Sequence, residues 1–312
     1  STFRFLRHAA NILVNPLPFH HKNFQKLGDT FKLKLGLGKS VIFSRDPQLA
    51  QYILQKNQKN YHKSPIQTRD LSKYVGHGLL TTNGEDWARQ RKLIQPAFHK
   101  KQLENLSDNV KAAIDEELNN IPVDNAIDVF PIFNDLAFQT VVKSLFSSAV
   151  NPEEINRLQY ITEAAQKMLV SELRQPYKNL WFRLSGKIER HIQLTQEARQ
   201  ILKRIVDERK ASQIKEGDLL DMLLEARYDD GTAMGEAQLI DEILILFTAG
   251  HETTSNALTF TCELLARHPN IQNKLYDESR LIKKNTENLM SFLQKATYTN
   301  QVIDESMRLY PP

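Results

Sequence analysis

The segment from Asp241 to Arg267 constrains the fold more than any other part of the sequence. It continues one helical pattern over about 27 residues, which corresponds to a helix roughly 40 Å long. Its first half, from Ile243 to Phe247, is apolar on every side, and this predicts burial on all faces. The sequence therefore predicts a long central helix that crosses a whole domain.

Small and polar residues interrupt this predicted helix where packing alone would favour apolar ones. Ala249 and Gly250 lead into the polar run from His251 to Asn256. A glycine inside a helix costs about 1 kcal/mol relative to alanine, and an unpaired buried carboxylate costs several more. Breaks of this kind inside a buried element are typical of functional sites. The alternative is a long core helix whose polar patch faces solvent at a bend.

The rest of the chain contains strand patterns near its start and helical patterns after that. Thr30 to Ser44 alternates apolar and polar residues and predicts a β-hairpin. The Asp46-Pro47 pair predicts the start of a helix with aspartate as N-cap, and Tyr61 to Asp86 predicts a long, mostly irregular loop. Helices are predicted over Trp87 to Asn119, Phe130 to Phe146, Pro152 to Glu172, Lys187 to Lys210, and Ala237 to Arg267.

Composition and charge exclude several classes of protein. Hydrophobic residues make up 41% of the chain, which argues against disorder. The net charge is only +4 and the basic residues are not interleaved with aromatic ones, so nucleic-acid binding is not expected. Cys262 is the single cysteine, which excludes an intrachain disulfide and favours a reducing compartment. No stretch approaches the roughly 20 apolar residues of a membrane span, so we expect a cytoplasmic protein. The alternative is a protein whose N-terminal anchor has been removed.

Three motifs, in the expected order, resemble those of the cytochrome P450 family of haem-thiolate monooxygenases. Ala249-Gly250-His251-Glu252-Thr253-Thr254 resembles the oxygen-activation motif of the family. Trp87-Ala88-Arg89-Gln90-Arg91 resembles its WxxxR motif, and Glu305-Ser306-Met307-Arg308, with the prolines that follow, resembles its ExxR helix. The resemblance covers nearly all of the chain. It implies a mainly α fold with a small β portion near the N-terminus.

The resemblance implies a haem cofactor and assigns residues to it. The haem would rest against Ala249, Gly250 and Thr253, and its propionates would be held by Trp87 and Arg91. Residues four apart share a helix face, and an indole N–H beside a guanidinium suits carboxylates. A tryptophan and an arginine at this spacing are also often an ordinary packed pair, which is the alternative for this motif.

The resemblance also assigns catalytic, substrate-binding and structural residues. Glu252 and Thr253 would be catalytic and would relay protons to dioxygen. The substrate-binding residues implied by position in the family are Leu79, Leu80 and Phe247. Glu305 and Arg308 would form a structural ion pair, although pairs at this spacing are commonly solvated and contribute little.

The sequence departs from the family at the iron ligand. The thiolate loop of the family has the form FxxGxRxCxG, and no segment of this sequence matches it. Cys262 is rejected as the ligand and interpreted as a buried apolar filler. The run His251 to Ser255 resembles the zinc motif HExxH, but Ser255 replaces the second histidine. We therefore predict no metal ligand and a single cytochrome P450-like domain over residues 1–312, incomplete at the C-terminus, with a β-containing portion at 1–60 and a helical portion at 87–312.

The resemblance predicts a haem-dependent monooxygenase that inserts one oxygen atom of O2 into a hydrophobic, fatty acid- or terpenoid-like molecule. This chain alone is expected to be inactive without the thiolate loop. The alternatives are a haem-free helical binding protein for an apolar ligand and an inactive truncated product. Expected partners are a ferredoxin or flavodoxin with its reductase, and the protein is expected to be a monomer. The candidate docking cluster consists of Arg89, Arg91, Lys92, Lys100 and Lys101. The alternative is a cluster that is merely solvated, as is more often the case for basic surface residues.

Overall fold

The computed structural model describes residues 15–36, 39–122, 126–147, 150–212, 214–286 and 288–312. Helices dominate these residues, and the sheet that they contain has two strands. The predicted fold class, mainly α with a small β portion near the N-terminus, is therefore confirmed. The described residues separate into two units: one holds the chain up to Ser64 together with Leu173–Pro176, and the other holds Pro65–Glu172 and Tyr177–Pro312. The assignment of residues 1–312 to one domain stays a prediction.

The first unit is built on the predicted β-hairpin. Helix α1 (Leu17–Leu27) precedes strands β1 (Thr30–Gly36) and β2 (Lys39–Ser44), which pair antiparallel with Phe31 opposite Phe43. The Phe31 ring stacks on Phe43 at 5.4 Å and meets Phe24 of α1 edge-on at 5.0 Å. These cross-strand and helix–strand aromatic contacts hold α1 against the hairpin.

The helix predicted to start at the Asp46-Pro47 pair is present but short. An Asp46 carboxylate oxygen accepts the Gln48 amide at 2.8 Å and so acts as the predicted N-cap. Helix α2 (Pro47–Gln51) then continues as a π-helical turn over Tyr52–Lys56.

Helices account for most of the second unit. In chain order they are α3 (Ser72–Val75), α4 (Gly84–Ile94), α5 (Lys100–Asn119), α6 (Val129–Phe146), α7 (Pro152–Arg174), α8 (Asn179–Leu184), α9 (Lys187–Ser212), α10 (Leu219–Glu225), α11 (Glu236–Arg267), α12 (Pro269–Lys284), α13 (Leu289–Lys295) and α14 (Thr297–Leu309). The predicted ranges of α6, α7, α9 and α11 are confirmed within a few residues. In the part of the chain that the structure describes, no helix is long and apolar enough to cross a membrane.

Two predicted ranges differ from the structure. The helix predicted from Trp87 to Asn119 is broken by a 3-10 turn over Gln95–Phe98. Pro96 is the reason, because a proline inside a helix removes one main-chain donor and its ring clashes with the preceding turn. The region predicted as a long loop contains a π-helix over Ile66–Leu71, and α3 follows it directly.

A buried ion network joins the end of α6 to α9 and α10. Two nitrogens of the Arg209 guanidinium donate to Asp218 at 2.8 and 2.7 Å, and one of them also donates to Asp221 at 2.8 Å. The other nitrogen reaches the Phe146 carbonyl at 3.4 Å. The side chains of Arg209 and Asp218 are 5% and 0% exposed, so solvent screens this network very little.

We predict that Arg209→Met destabilises the protein by about 3–5 kcal/mol, because it leaves two buried carboxylates without their cation. Urea unfolding would measure the loss of unfolding free energy. The control is Arg204→Met on the same helix, where the arginine side chain is 47% exposed and pairs with Glu154 and Glu208. We expect less than about 1 kcal/mol for this control. Equal losses in the two variants would contradict the prediction.

The same network predicts a specific acid sensitivity. Burial opposes ionisation of Asp221, but hydrogen bonds from Arg209 and from the Gly217 amide outweigh burial and hold its pKa below the usual value of 3.8. A lowered folded pKa stabilises the protein above the unfolded pKa, and this contribution is lost as the pH falls through the folded value. We therefore expect the unfolding free energy to fall more steeply between about pH 5 and pH 2 in the wild type than in Asp221→Asn, which cannot titrate there. Parallel pH profiles would refute this assignment.

Candidate functional site

The side chains of helix α11 change from mostly buried to partly exposed at the predicted oxygen-activation motif. Phe247 is fully buried, whereas Ala249, Glu252 and Thr253 are exposed. Residues three and four apart lie on one side of a helix, so these three side chains form one open face. The helix runs unbroken through the motif. The structure thus brings together the two predicted catalytic residues, Glu252 and Thr253, and the predicted cofactor-binding residue Ala249.

Threonine hydroxyls along this helix point back to main-chain carbonyls. Thr253 Oγ1 donates to the Ala249 carbonyl at 2.8 Å, and Thr254 Oγ1 donates to the Gly250 carbonyl at 2.7 Å. Such bonds add a second donor to a carbonyl of the preceding turn. The Thr253 hydroxyl is therefore held directly beside Ala249 on the open face.

Gly250 and His251 of the motif pack inward. A Cβ on Gly250 would lie 2.7 Å from Val141 Cγ2, so the glycine permits close approach of α6 and α11. The His251 side chain is buried, its Nδ1 donates to the Phe247 carbonyl at 2.7 Å, and its ring meets Phe138 edge-on at 5.4 Å. Gly250 thus has a packing role that accounts for its type, and its contact with the haem stays a prediction.

A glutamine of α7 reaches the same region and was not predicted. Gln166 Nε2 donates to the main-chain carbonyl of Thr248 at 3.0 Å, one residue before the open face begins. The only sequence signal for this residue is its position beside Ala165 and Met168, which are buried in α7. A polar residue within that inward stripe needs a partner, and the carbonyl of α11 supplies it.

Trp87 and Arg91 both lie in α4, four residues apart, as the resemblance requires. Trp87 is half-buried and Arg91 is exposed. Within the described ranges, Arg91 has no ion-pair partner, whereas its neighbours Arg89 and Lys92 do. The structure therefore leaves the guanidinium of Arg91 available for an anionic group.

The predicted docking cluster is partly neutralised by an acidic turn between α10 and α11. Asp230 accepts from Arg89 at 3.1 Å, and Asp229 accepts from Lys92 at 2.6 Å. The Arg89 guanidinium also lies 4.0 Å from the centre of the Tyr228 ring. Residues of this turn and of α4 together line a pocket of about 460 Å³. The use of the cluster by a redox partner stays a prediction.

The predicted substrate-binding residues lie in two different environments. Leu79 and Leu80 are half-buried and pack against the core. Phe247 is fully buried, with Phe138 at 5.3 Å and Phe146 at 6.1 Å between ring centres. Phe247 is thus a core residue in this structure, and its contact with substrate stays a prediction.

The predicted ion pair between Glu305 and Arg308 is formed on α14. Arg308 Nε and Nη2 donate to the two Glu305 oxygens, both at 2.7 Å, and these hydrogen bonds hold the pKa of Glu305 below its usual value. Both side chains are exposed. Between them in sequence, Ser306 is buried with its hydroxyl 2.8 Å from that of Thr261, which fastens α14 to α11.

Cys262 differs from the expectation in its burial, and its exclusion as the iron ligand stays a prediction. It was expected to be a buried filler, and this is wrong because the residue is exposed. It lies nine residues after Thr253, about 13 Å further along the helix. Within the described residues, no group of three or more histidine, cysteine or acidic side chains could hold a metal ion.

Comparison with known proteins identifies the family. The family model described as Cytochrome P450 matches residues 9–312. Pentalenene oxygenase of Streptomyces avermitilis is 28% identical over 310 residues, which cover 98% of this chain and 67% of that protein. Cyclooctat-9-en-7-ol 5-monooxygenase of Streptomyces melanosporofaciens is 26% identical over 314 residues, which cover 98% of this chain and 66% of that protein.

A solved structure shows the same similarity. The retinoic acid-bound cyanobacterial CYP120A1 matches with a TM-score of 0.78 and 28% identity, over 98% of this chain and 67% of that one. This chain therefore spans about two thirds of the length of the proteins that it matches. Because the family model matches nearly every residue and the fold agrees, the chain belongs to the cytochrome P450 family.

Proposed function

We propose that this chain forms the distal part of a haem-dependent monooxygenase that inserts one oxygen atom of O2 into a hydrophobic small molecule. The observation that carries the proposal is the open face of α11, where Ala249, Glu252 and Thr253 are exposed on a helix that is buried just before them. When bound, haem supplies the iron at which dioxygen is reduced. The residues of this chain position that group and supply protons.

The residues present fit a haem on the distal side. Ala249 is small and exposed, so it leaves room for a flat group against the helix. The exposed Arg91 guanidinium, without an ion-pair partner in the described ranges, and the indole of Trp87 are suitable donors for two carboxylates. Cys262 does not fit the proximal ligand, because it lies on α11 itself and far along it. We propose that the thiolate comes from sequence outside this chain and that the chain alone is inactive.

The roles of Glu252 and Thr253 follow from their place on the open face. The exposed Glu252 carboxylate exchanges protons with solvent, and the Thr253 hydroxyl, which is fixed beside Ala249, passes them inward. Rotation of that hydroxyl away from the Ala249 carbonyl would let Thr253 Oγ1 donate its proton into the space over the open face. This is general acid catalysis by two neighbouring groups on one helix face.

The proposed substrate is an apolar compound of the fatty acid or terpenoid class. The half-buried Leu79 and Leu80 support this, since both would present only apolar surface to a ligand. The similar proteins are named for pentalenene and cyclooctat-9-en-7-ol, and the similar structure for retinoic acid. For electron supply we propose an acidic ferredoxin or flavodoxin that approaches the basic cluster on α4 and α5.

Reconstitution of the intact protein with haem tests the proposal. We expect a reduced carbon monoxide spectrum of the thiolate type and spectral shifts on addition of a fatty acid or terpenoid. Failure to take up haem would refute the proposal and would favour a haem-free binding protein. Haem uptake with histidine-type ligation would contradict the proposed thiolate.

We predict that Arg91→Ala combined with Trp87→Phe accelerates haem loss by about 10- to 100-fold, because two donors to the propionates are removed. Transfer of haem to apomyoglobin measures this rate. Arg89→Ala is the matched control, because Arg89 lies on the same helix but pairs with Asp230. Haem loss that is equally fast in the control would show that the effect is not specific to the proposed propionate donors.

We predict that Glu252→Gln with Thr253→Val lowers product formed per electron consumed by about 10²–10⁴-fold, with hydrogen peroxide released instead, because protons then arrive from solvent and are no longer directed by these two side chains. The measurement compares NADPH consumption with peroxide and product. Thr254→Val is the control, since Thr254 makes the same type of bond to the helix but points about 100° away around the axis. Unchanged coupling in the double variant would refute the proton-relay role.

A further inference from the structure

Two consecutive acids lie in the buried first half of α11, where a core helix would be expected to carry apolar residues. Asp241 is 8% exposed and Glu242 is 2% exposed. Neither faces open solvent. Both carboxylates point toward the loop Gly76–Thr81, which we name the glycine loop and which leads to Leu79 and Leu80.

The two acids accept main-chain amides of the glycine loop at alternate positions. The His77 amide donates to Asp241 Oδ2 at 2.6 Å, and the Leu79 amide donates to Glu242 Oε2 at 3.0 Å. The Gly78 amide between them turns inward to Thr81 Oγ1 at 3.0 Å. Each bond joins a main-chain amide to a carboxyl oxygen of a buried side chain, so the path of this backbone is fixed at two points.

The glycines of the loop fit this arrangement closely. A Cβ on Gly76 would lie 2.2 Å from the Asp241 carboxylate, and a Cβ on Gly78 would lie 2.6 Å from that of Glu242. Gly76 also has a φ of +81°, which residues with a side chain rarely adopt. Both glycines are therefore required for the loop to reach the carboxylates.

A third element joins the contact through Asp241. Arg199 of α9 donates to Asp241 Oδ1, while Oδ2 of the same carboxylate holds His77. Thus one side chain links α9, α11 and the glycine loop. A buried ion pair seldom adds more stability than apolar residues of similar volume would, so stability alone gives little reason for acids here.

We propose that Asp241 and Glu242 are positioning residues that fix Leu79 and Leu80 against a hydrophobic ligand, and that Arg199 ties their position to α9. This inference rests on the proposed function, because it takes Leu79 and Leu80 as part of the ligand cavity. The loop backbone sets where the two leucine side chains lie. The cavity therefore accepts an apolar chain only while the amides stay bound to the carboxylates.

The first test follows the Leu79 amide by hydrogen exchange in the intact, haem-loaded protein. Glu242→Gln keeps an oxygen that accepts this amide, whereas Glu242→Leu has a similar size and no acceptor. We expect the amide to exchange at least about tenfold faster in the leucine variant and close to the wild-type rate in the glutamine variant. Gly78→Ala provides an independent route, because it displaces the loop while Glu242 remains. Unchanged protection in the leucine and alanine variants would overturn the inference.

The second test asks whether the loop position governs ligand binding. Imidazole and 1-dodecylimidazole both bind haem iron, and only the second carries an apolar chain. The affinity for 1-dodecylimidazole divided by that for imidazole therefore reports the contribution of the cavity alone. We expect Glu242→Leu and Gly78→Ala to lower this ratio by about tenfold and Glu242→Gln to restore it. A purely structural role would lower thermal stability and leave the ratio unchanged, which would refute the inference. If the wild type bound 1-dodecylimidazole no more tightly than imidazole, this would also refute the apolar cavity that the proposed function assumes. Failure to take up haem would refute the proposed function itself.

Discussion

The close approach of α6 and α11 is the contact on which the described helical unit depends. Gly250 lets Val141 reach the backbone of α11, and Phe138 and Phe247 fill the adjoining space. This close packing fixes the orientation of α11 about its own axis, because the side that carries Gly250 must face α6. The burial of His251 and the exposure of Ala249 are two results of that single orientation.

Much of the fold follows from periodicity in the sequence, and its exceptions have local causes. The bounds of α6, α7, α9 and α11 were predictable because each carries a long apolar stripe. The break between α4 and α5 comes from one proline, Pro96, whose effect outweighs the surrounding helical pattern. The helices of seven residues or fewer, such as α10 and α13, offer too few turns for a periodic pattern to stand out.

The candidate site was predictable where its residues lie on one helix, and not where contacts join distant segments. Glu252 and Thr253 share a face with Ala249 because of their spacing alone. The main-chain amides bound by Asp241 and Glu242 lie more than 160 positions earlier in the chain, and no local pattern reveals them. The same holds for Gln166 and the Thr248 carbonyl. The sequence predicted the burial of Phe247, but not its packing against Phe138 and Phe146, because those two rings lie on a different helix.

The acidic turn over α4 has a consequence for any negatively charged protein that approaches this side of the molecule. Asp229 and Asp230 are tethered to the chain, so they compete for Lys92 and Arg89 at a high effective concentration. An approaching protein with one or two scattered carboxylates therefore gains little binding free energy by displacing Asp229 and Asp230. The turn thereby lowers the net positive charge that this side of α4 presents to its surroundings.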